Sequence, residues 1–220
     1  MSVSKPTLTY FNLVGRAEVP RLLLELAGVD YEYVSLAYMG APGLDWAEYK
    51  SKHGEDMAFG QVPRYQEPDG LDLVQSNAIA RYLANKHGFN GANETEAALI
   101  DQFNEGVVDF SNASTKILFG PEASKAELYS KFLSEDLPKW LGFFERALAK
   151  NGSNGFFVGE KVSYADLHLF AMSGILFRLE SLFKLEGARE VFERFEQVQA
   201  AHEKVANLPK IKAYYDTKPY

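Results

Sequence analysis

Two short segments of this 220-residue chain have side chains and main-chain groups suited to binding an extended peptide. Gln61-Val62-Pro63 follows a loop and opens a predicted strand, whereas Gln75-Ser76 ends another strand and opens a helix. The turn Glu67-Pro68-Asp69-Gly70 between them predicts a hairpin that brings the two segments side by side. The N–H and C=O of Val62 would pair with the peptide main chain as an added strand. The Ser76 hydroxyl, which we also expect to cap the helix, and the first helical N–H groups would bind a terminal carboxylate.

The absence of cysteine limits the chemistry that this chain can perform on its own. A disulfide scaffold, a zinc–thiolate site and a cysteine nucleophile are all excluded. Any thiol chemistry must therefore use a sulfur atom that arrives on the substrate. The four histidines lie far apart without metal-ligand spacing, so we interpret them as ordinary surface or partly buried residues and predict no metal site.

Composition and charge indicate an ordinary globular protein. Hydrophobic residues make up 46% of the chain and charged residues 24%, and the formal net charge is −7. The excess of acidic residues and the lack of a basic stripe argue against a nucleic-acid partner. No apolar run approaches the length of a membrane span, and the amino terminus lacks an apolar signal core. We therefore expect a cytoplasmic protein without a membrane partner.

The pattern of predicted elements changes near residue 88. Before it, short strands alternate with helices, and after it the hydrophobic spacing is helical throughout. A breaker-rich linker at residues 88–93 separates the two parts. The sequence thus predicts an α/β domain at residues 1–86 and an all-α domain at residues 94–220. The predicted strands cover 7–11, 31–37, 62–66 and 71–74, and the predicted helices of the first domain cover 16–27 and 76–86.

Local signals fix several helix ends. Gly28 and Gly88 are suited to end the two helices of the first domain, and Pro20 must lie in or near a first helical turn. In the second domain, Ser163 and Asp166 form a predicted capping box at the start of a buried helix at residues 165–177.

Seven short motifs occur in an order and spacing that are specific as a set, although each is weak alone. They are Leu8-Thr9-Tyr10-Phe11, Gly15-Arg16, Gln61-Val62-Pro63, Gln75-Ser76, Gly106-Val107-Val108-Asp109, Ser163 with Asp166 after Gly159, and Asn207-Leu208-Pro209-Lys210-Ile211. Together they resemble the tyrosine-type cytosolic glutathione S-transferases over essentially the whole chain. The resemblance implies a thioredoxin-like N-terminal domain followed by an all-α C-terminal domain.

The class within this family stays open at the level of sequence. The Leu8-Thr9-Tyr10-Phe11 strand and the start of the next helix look most like the sigma class. Ala97-Ala98-Leu99-Ile100-Asp101, together with Gly106 to Asp109, looks equally like the pi class. Pro20 departs from the aliphatic residue usual in sigma members.

The resemblance assigns catalysis to Tyr10, assisted by Arg16. A free cysteine thiol has a pKa near 8.5, and making the thiolate dominant at neutral pH requires about 2.7 kcal/mol. A neutral phenol that donates one hydrogen bond to the sulfur supplies part of this, because hydrogen bonds to charged acceptors contribute about 1.5–3 kcal/mol. The guanidinium of Arg16 would add a positive field. The alternative for Tyr10 alone is an ordinary core tyrosine.

The resemblance also implies which residues bind glutathione. The γ-glutamyl end would be held by Gln75 and Ser76 of the same subunit. Asp109 of the partner subunit would contact it as well. The glycine end would contact Trp46, Lys50 and Gln61, with Lys50 pairing its carboxylate. Val62 would pair with the main chain of the peptide, and Pro63 is expected to be cis. Asp109 on a solvated helix face and Lys50 as a plain surface lysine remain alternatives.

An apolar pocket for the second substrate is expected beside the sulfur. Its predicted lining residues are Phe11, Leu13, Val14, Leu118 and Phe119. Phe119 falls where pi members place a tyrosine, so the missing hydroxyl predicts poor activity on epoxides. An apolar helix face that belongs to the core is the alternative for these positions.

A homodimer is implied by Phe59, which matches the aromatic residue that inserts between helices of the partner subunit in this family. The predicted activity is conjugation of glutathione, the co-substrate, to small hydrophobic electrophiles without a metal. Three alternatives stay open: a glutathione-dependent isomerase or peroxidase, a carrier of hydrophobic ligands, and a structural relative without activity.

Overall fold

The computed structural model describes residues 4–38, 40–183 and 186–217. The chain divides into two compact units. One spans Met1–Gly88 and Lys210–Tyr220, and the other spans Phe89–Pro209. The carboxyl-terminal segment thus groups by contact with the N-terminal unit, whereas the division into domains at residues 86 and 94 stays a prediction.

A four-stranded mixed sheet forms the centre of the first unit. Its strands are β1 Thr7–Phe11, β2 Glu32–Leu36, β3 Arg64–Gln66 and β4 Asp72–Val74. The order is β2-β1-β3-β4, with β1 parallel to β2 and antiparallel to β3. The antiparallel pair of β3 and β4 confirms the predicted hairpin, although both strands are shorter than predicted.

Three helices pack with this sheet in chain order: α1 Glu18–Ala27, α2 Trp46–His53 and α3 Ser76–His87. Helix α1 begins two residues later than predicted, and Pro20 lies in its first turn, as the sequence requires. Gly28 and Gly88 end α1 and α3 at φ values of 69° and 79°, a left-handed conformation that glycine adopts without steric cost.

Two groups of buried side chains surround the sheet of this unit. Helices α1 and α3 pack against each other, and their fully buried residues include Leu22, Leu23, Ile79 and Leu83. A second cluster contains Leu36, Tyr49, Met57 and Val74, and Phe11, Val34, Trp46 and Val62 pack against it. Phe11, the last residue of β1, is therefore held by its packing against this second cluster.

The second unit is helical, as predicted. Its helices are α4 Glu94–Leu118, α5 Lys125–Lys131, α6 Leu137–Lys150, α7 Tyr164–Phe183, α8 Ala188–Phe192 and α9 Glu196–Ala206. The predicted bond of the capping box is confirmed, since the Asp166 carboxylate accepts from the Ser163 N–H at 2.7 Å. The same carboxylate accepts from the Ser163 hydroxyl at 2.7 Å and from the Phe157 N–H at 2.8 Å. Helix α7 continues beyond the predicted end at residue 177.

Two side chains of the last helix, α10 Pro209–Asp216, form hydrogen bonds to α1. Lys210 Nζ donates to the carbonyl oxygen of Leu26 at 2.8 Å, and the Tyr215 hydroxyl donates to Glu18 at 2.7 Å. Within the described ranges, no helix combines the length and the apolar content that a crossing of the bilayer requires.

Candidate active site

Tyr10 lies one residue before the end of β1 and is only 7% exposed. Its hydroxyl oxygen accepts a hydrogen bond from the main-chain N–H of Arg16 at 3.2 Å. Burial raises the pKa of the phenol, and the Arg16 N–H and the charges of Arg16 and Arg21 offset this effect only in part. The phenol is therefore neutral at physiological pH and has a proton to donate.

The loop between β1 and α1 holds the Arg16 N–H in place. Gly15 occupies a position without room for a side chain, because a Cβ there would lie 2.9 Å from the Tyr10 hydroxyl oxygen and 2.7 Å from Leu13 Cδ1. The loop closes into the helix through the Glu18 N–H, which donates to the Gly15 carbonyl at 2.9 Å. The side chain of Arg16 is exposed, and Leu13 and Val14 are half-buried.

The Val62–Pro63 peptide bond is cis, as predicted. The predicted strand at residues 62–66 begins instead at Arg64, so the main chain of Val62 lies just before the ladder that pairs Arg64 with Thr9. The Val62 side chain packs against the cluster around Leu36 and Val74, and Gln61 beside it is exposed.

Gln75 has an unusual backbone conformation at the start of α3. Its φ of 77° and ψ of 109° make it a non-glycine residue with positive φ, which costs on the order of 1–3 kcal/mol. Ser76 is the first helical residue, so the prediction that Ser76 caps the helix is wrong, and Gln75 occupies the cap position. The reason is that Gln75 leaves the strand through positive φ, so the chain is already helical at Ser76.

Trp46 and Lys50 share one face of α2. Asp45 caps this helix by accepting from the Glu48 N–H at 2.8 Å. The Lys50 ammonium lies 5.7 Å from the Trp46 ring centroid, a cation–π distance. The Trp46 ring in turn packs against Phe11, with centroids 5.7 Å apart. Phe11 thus contacts the α2 side of the sheet, where Trp46 and Val62 also pack.

The remaining predicted site residues belong to α4, to the segment after it and to the loop after α2. Asp109 is an exposed residue of α4, and Phe119, which follows that helix, is 72% exposed. Leu118 ends α4, and its side chain lies outside the described part of the structure. Phe59, in the loop after α2, is 66% exposed.

Comparisons with known proteins decide the family. Residues 6–85 match the family described as "Glutathione S-transferase, N-terminal domain", and residues 108–218 match "Glutathione S-transferase, C-terminal domain". This chain belongs to the glutathione S-transferase family. The two matched regions cover most of the sequence, in agreement with the resemblance found from the motifs.

Similar transferases support this assignment at the level of the whole chain. The glutathione S-transferase P 1 of Xenopus laevis is 40% identical over 74% of this chain and 72% of its own length. The glutathione S-transferase A of Cavia porcellus is 34% identical over 96% and 89%. A crystal structure described as monomeric Na-GST-3, a glutathione S-transferase from the hookworm Necator americanus, has a TM-score of 0.82 at 30% identity, with 98% of each chain covered.

Sequence reasoning missed one part of the transferase fold beside Tyr10. Glu18 and Arg21 are buried to 0% and 1% exposure on α1 and form an ion pair of 3.0 Å. Arg21 Nη2 also donates to the carbonyl oxygen of Leu13 at 2.6 Å. The available signal was an i, i+3 pair of opposite charges in an otherwise apolar helix, directly after a candidate catalytic loop.

Proposed function

We propose that this protein binds glutathione, stabilises its thiolate and transfers the sulfur to small hydrophobic electrophiles. One observation carries the proposal: a buried, neutral Tyr10 hydroxyl whose oxygen already accepts from the Arg16 N–H. The phenolic proton then points away from that N–H and is available to a substrate sulfur. Membership of the transferase family supports the same chemistry.

The proposed chemistry requires only that the thiol ionise near the phenol. The thiol proton leaves to solvent, and the Tyr10 O–H donates to the resulting anion, a bond that contributes about 1.5–3 kcal/mol. The exposed Arg16 guanidinium adds a favourable field. The sulfur then bonds to the electrophilic carbon, and a leaving group such as halide departs with the displaced electron pair. Neither a metal nor an additional cofactor takes part.

Main-chain groups and helix α3 provide the proposed binding site for the tripeptide. Val62 pairs with the peptide main chain, while Gln75, Ser76 and the N-terminus of α3 bind the γ-glutamyl carboxylate, because exposed helical N–H groups favour an anion. At the opposite end, the Lys50 ammonium above Trp46 and the Gln61 amide bind the glycine carboxylate.

The proposed function also includes an assembly of two subunits and a pocket for the second substrate. The protein acts in the cytoplasm as a homodimer, with Phe59 at the interface and Asp109 of the partner subunit contributing to the γ-glutamyl site. Exposure of Phe59 supports an interface there, since a large apolar side chain at 66% exposure favours burial. The electrophile binds in an apolar pocket lined by Phe11, Leu13, Val14, Leu118 and Phe119.

Retention on glutathione–agarose and turnover of a panel of electrophiles test the proposal together. We expect the protein to be retained on the resin and eluted by free glutathione. We also expect it to conjugate at least one aryl halide, enal or isothiocyanate. Hydroperoxides in the same panel test for a peroxidase activity. Binding of hydrophobic dyes without turnover of any compound would favour a carrier instead. Failure of both retention and conjugation would overturn the proposal.

A further inference from the structure

A buried pair of charges lies one helical turn from the candidate catalytic loop. Glu18 and Arg21 are almost fully excluded from solvent, and Arg21 Nη2 lies 3.0 Å from Glu18 Oε2. Burying two charges carries a desolvation cost that only good geometry and additional hydrogen bonds offset. The other hydrogen bonds of Glu18 and Arg21 therefore show which segments of the chain the ion pair connects.

Arg21 connects the pair to the loop between β1 and α1. Its Nη2 donates to the Leu13 carbonyl oxygen at 2.6 Å, and its guanidinium lies 5.2 Å from the Tyr33 ring centroid. The Tyr33 hydroxyl donates in turn to the carbonyl oxygen of Phe11 at 2.7 Å. The carbonyl groups of Phe11 and Leu13, on either side of Asn12, are thus held by side chains that contact each other.

The same loop determines where the Tyr10 hydroxyl is held. Three residues after Leu13, the Arg16 N–H donates to that hydroxyl at 3.2 Å. Gly15 between them approaches so closely that no Cβ fits beside the Tyr10 oxygen. A displacement of the loop would therefore move the group that orients the phenol.

Glu18 connects the pair to the carboxyl-terminal helix. The Tyr215 hydroxyl donates to Glu18 Oε1 at 2.7 Å, and Lys210 Nζ donates to the Leu26 carbonyl oxygen near the other end of α1. Helix α10 is thus bonded to α1 at both ends. A chain of contacts runs from Tyr215 through Glu18, Arg21 and the Leu13 carbonyl to the loop that contacts Tyr10.

We propose that Tyr215, Glu18 and Arg21 are positioning residues, through which the carboxyl-terminal helix orients the Tyr10 hydroxyl toward the substrate sulfur. The inference rests on the proposed function, because it assigns Tyr10 the role described above. The physical basis is that a preorganised donor stabilises charge better than a mobile one, and small displacements reduce rate strongly.

The substitution Tyr215→Phe tests the positioning role, because it removes only the hydroxyl that donates to Glu18. Tyr31→Phe is the matched control, since the Tyr31 hydroxyl donates to Glu25 Oε1 at 3.1 Å near the far end of the same helix. Ultraviolet titration of the bound glutathione thiolate is the decisive readout, combined with kcat and KM for glutathione. We expect Tyr215→Phe to raise the pKa of the bound thiol by about 1 and to lower kcat on the order of tenfold. KM for glutathione is expected to change less than about twofold.

A second variant protects the test against a simple folding defect. Arg21→Lys retains a positive charge beside Glu18 but shortens the reach to the Leu13 carbonyl, so the same rise in thiol pKa is expected. Denaturant unfolding of each variant at the assay temperature establishes that folded protein is measured.

Failures of the two proposals are distinguishable. A wild-type protein without bound thiolate would overturn the proposed function and this inference with it. A wild-type thiolate with an unchanged pKa in both Tyr215→Phe and Arg21→Lys would overturn the positioning role alone. An equal shift in Tyr31→Phe would also contradict it, because the effect would then not depend on Glu18.

Discussion

The main-chain N–H of Arg16 donates to the Tyr10 hydroxyl oxygen at 3.2 Å. This contact decides the direction in which the phenol can act. Because one lone pair of the oxygen is occupied by the amide, the hydroxyl proton is directed elsewhere, and burial that raises the phenol pKa keeps that proton in place. This arrangement suits Tyr10 to donate a hydrogen bond rather than to act as a base.

Removal of the hydroxyl in Tyr10→Phe is expected to lower kcat/KM about 10- to 100-fold, since a hydrogen bond to an anion contributes about 1.5–3 kcal/mol. The pKa of bound glutathione, followed by ultraviolet titration, should rise by about 1–2. Tyr82→Phe is the control, because the Tyr82 hydroxyl donates to Glu67 at 2.9 Å outside the candidate site. Equal activity of Tyr10→Phe and wild type would contradict the mechanism.

Gly15→Ala should reduce activity without removing any functional group. The added Cβ would meet the Tyr10 oxygen and Leu13 at distances below 3.0 Å, so the phenol or the loop must move. We expect kcat to fall on the order of tenfold or more. Gly174→Ala in α7 is the matched control, because open space surrounds that position and alanine favours a helix by about 1 kcal/mol. Steady-state kinetics that are alike for the two variants would argue against a constrained loop.

Gln75→Gly separates strain from ligand binding. Glycine adopts φ of 77° without steric cost, so the free energy of unfolding should not fall and is expected to rise by up to about 1 kcal/mol. Loss of the amide should nevertheless raise the Kd for glutathione, measured calorimetrically, by about tenfold. Ser153→Gly relieves another positive φ, of 56°, and should leave the Kd unchanged. A Kd for Gln75→Gly equal to that of wild type would remove Gln75 from the binding site.

Phe59→Ser should shift the proposed homodimer toward monomer in sedimentation velocity. Buried aromatic anchors contribute on the order of 2 kcal/mol or more to an interface, which corresponds to at least about a 30-fold weaker association. Phe119→Ser is the control, because it removes a similarly exposed phenylalanine that belongs to the helical unit. Because one solved relative is described as monomeric, the measurement on the wild type must first establish whether this protein is a dimer or a monomer. A wild-type monomer, or a dimer unaffected by Phe59→Ser, would exclude the assigned role.

Acid should destabilise the helical unit through His202. This histidine packs against Phe170 and Phe192, with ring centroids 4.8 Å and 5.8 Å apart, and burial lowers its pKa to about 4. The neighbouring Glu203 raises this pKa and Arg189 lowers it, but burial dominates. Because the unfolded chain binds the proton more tightly, the contribution of His202 alone to the free energy of unfolding should fall by about 2 kcal/mol between pH 7.5 and pH 5. Burial lowers the pKa of His168 to about 4 as well, so His168 contributes with the same sign.

His202→Leu preserves the apolar packing and removes this titration. Asp166 contributes with the opposite sign, since burial raises its pKa to about 6, so the informative quantity is the difference between variant and wild type. Urea unfolding at both pH values should show a loss of stability that is smaller by about 2 kcal/mol in His202→Leu. Identical losses would show that His202 does not carry the acid sensitivity.

Local rules allowed much of this protein to be predicted from its sequence. Glycines at helix ends, the Ser163–Asp166 capping box and the Pro68–Gly70 turn are decided by near neighbours, so their sequence signals are confirmed in the structure. The change from alternating elements to helical spacing predicted the two fold classes, and the ordered motifs predicted the family.

Only the tertiary structure decided which polar groups are buried together. Glu18, Arg21 and Tyr215 are up to 197 residues apart, and no local pattern indicates that the last helix bonds to the first. The same holds for Ser76: it is the first helical residue because Gln75, at a positive φ, occupies the cap position, and no local sequence signal indicates that conformation for a glutamine. Residue type and spacing determined what chemistry is possible, whereas burial and long-range hydrogen bonds decided the orientation and protonation of the groups available for it.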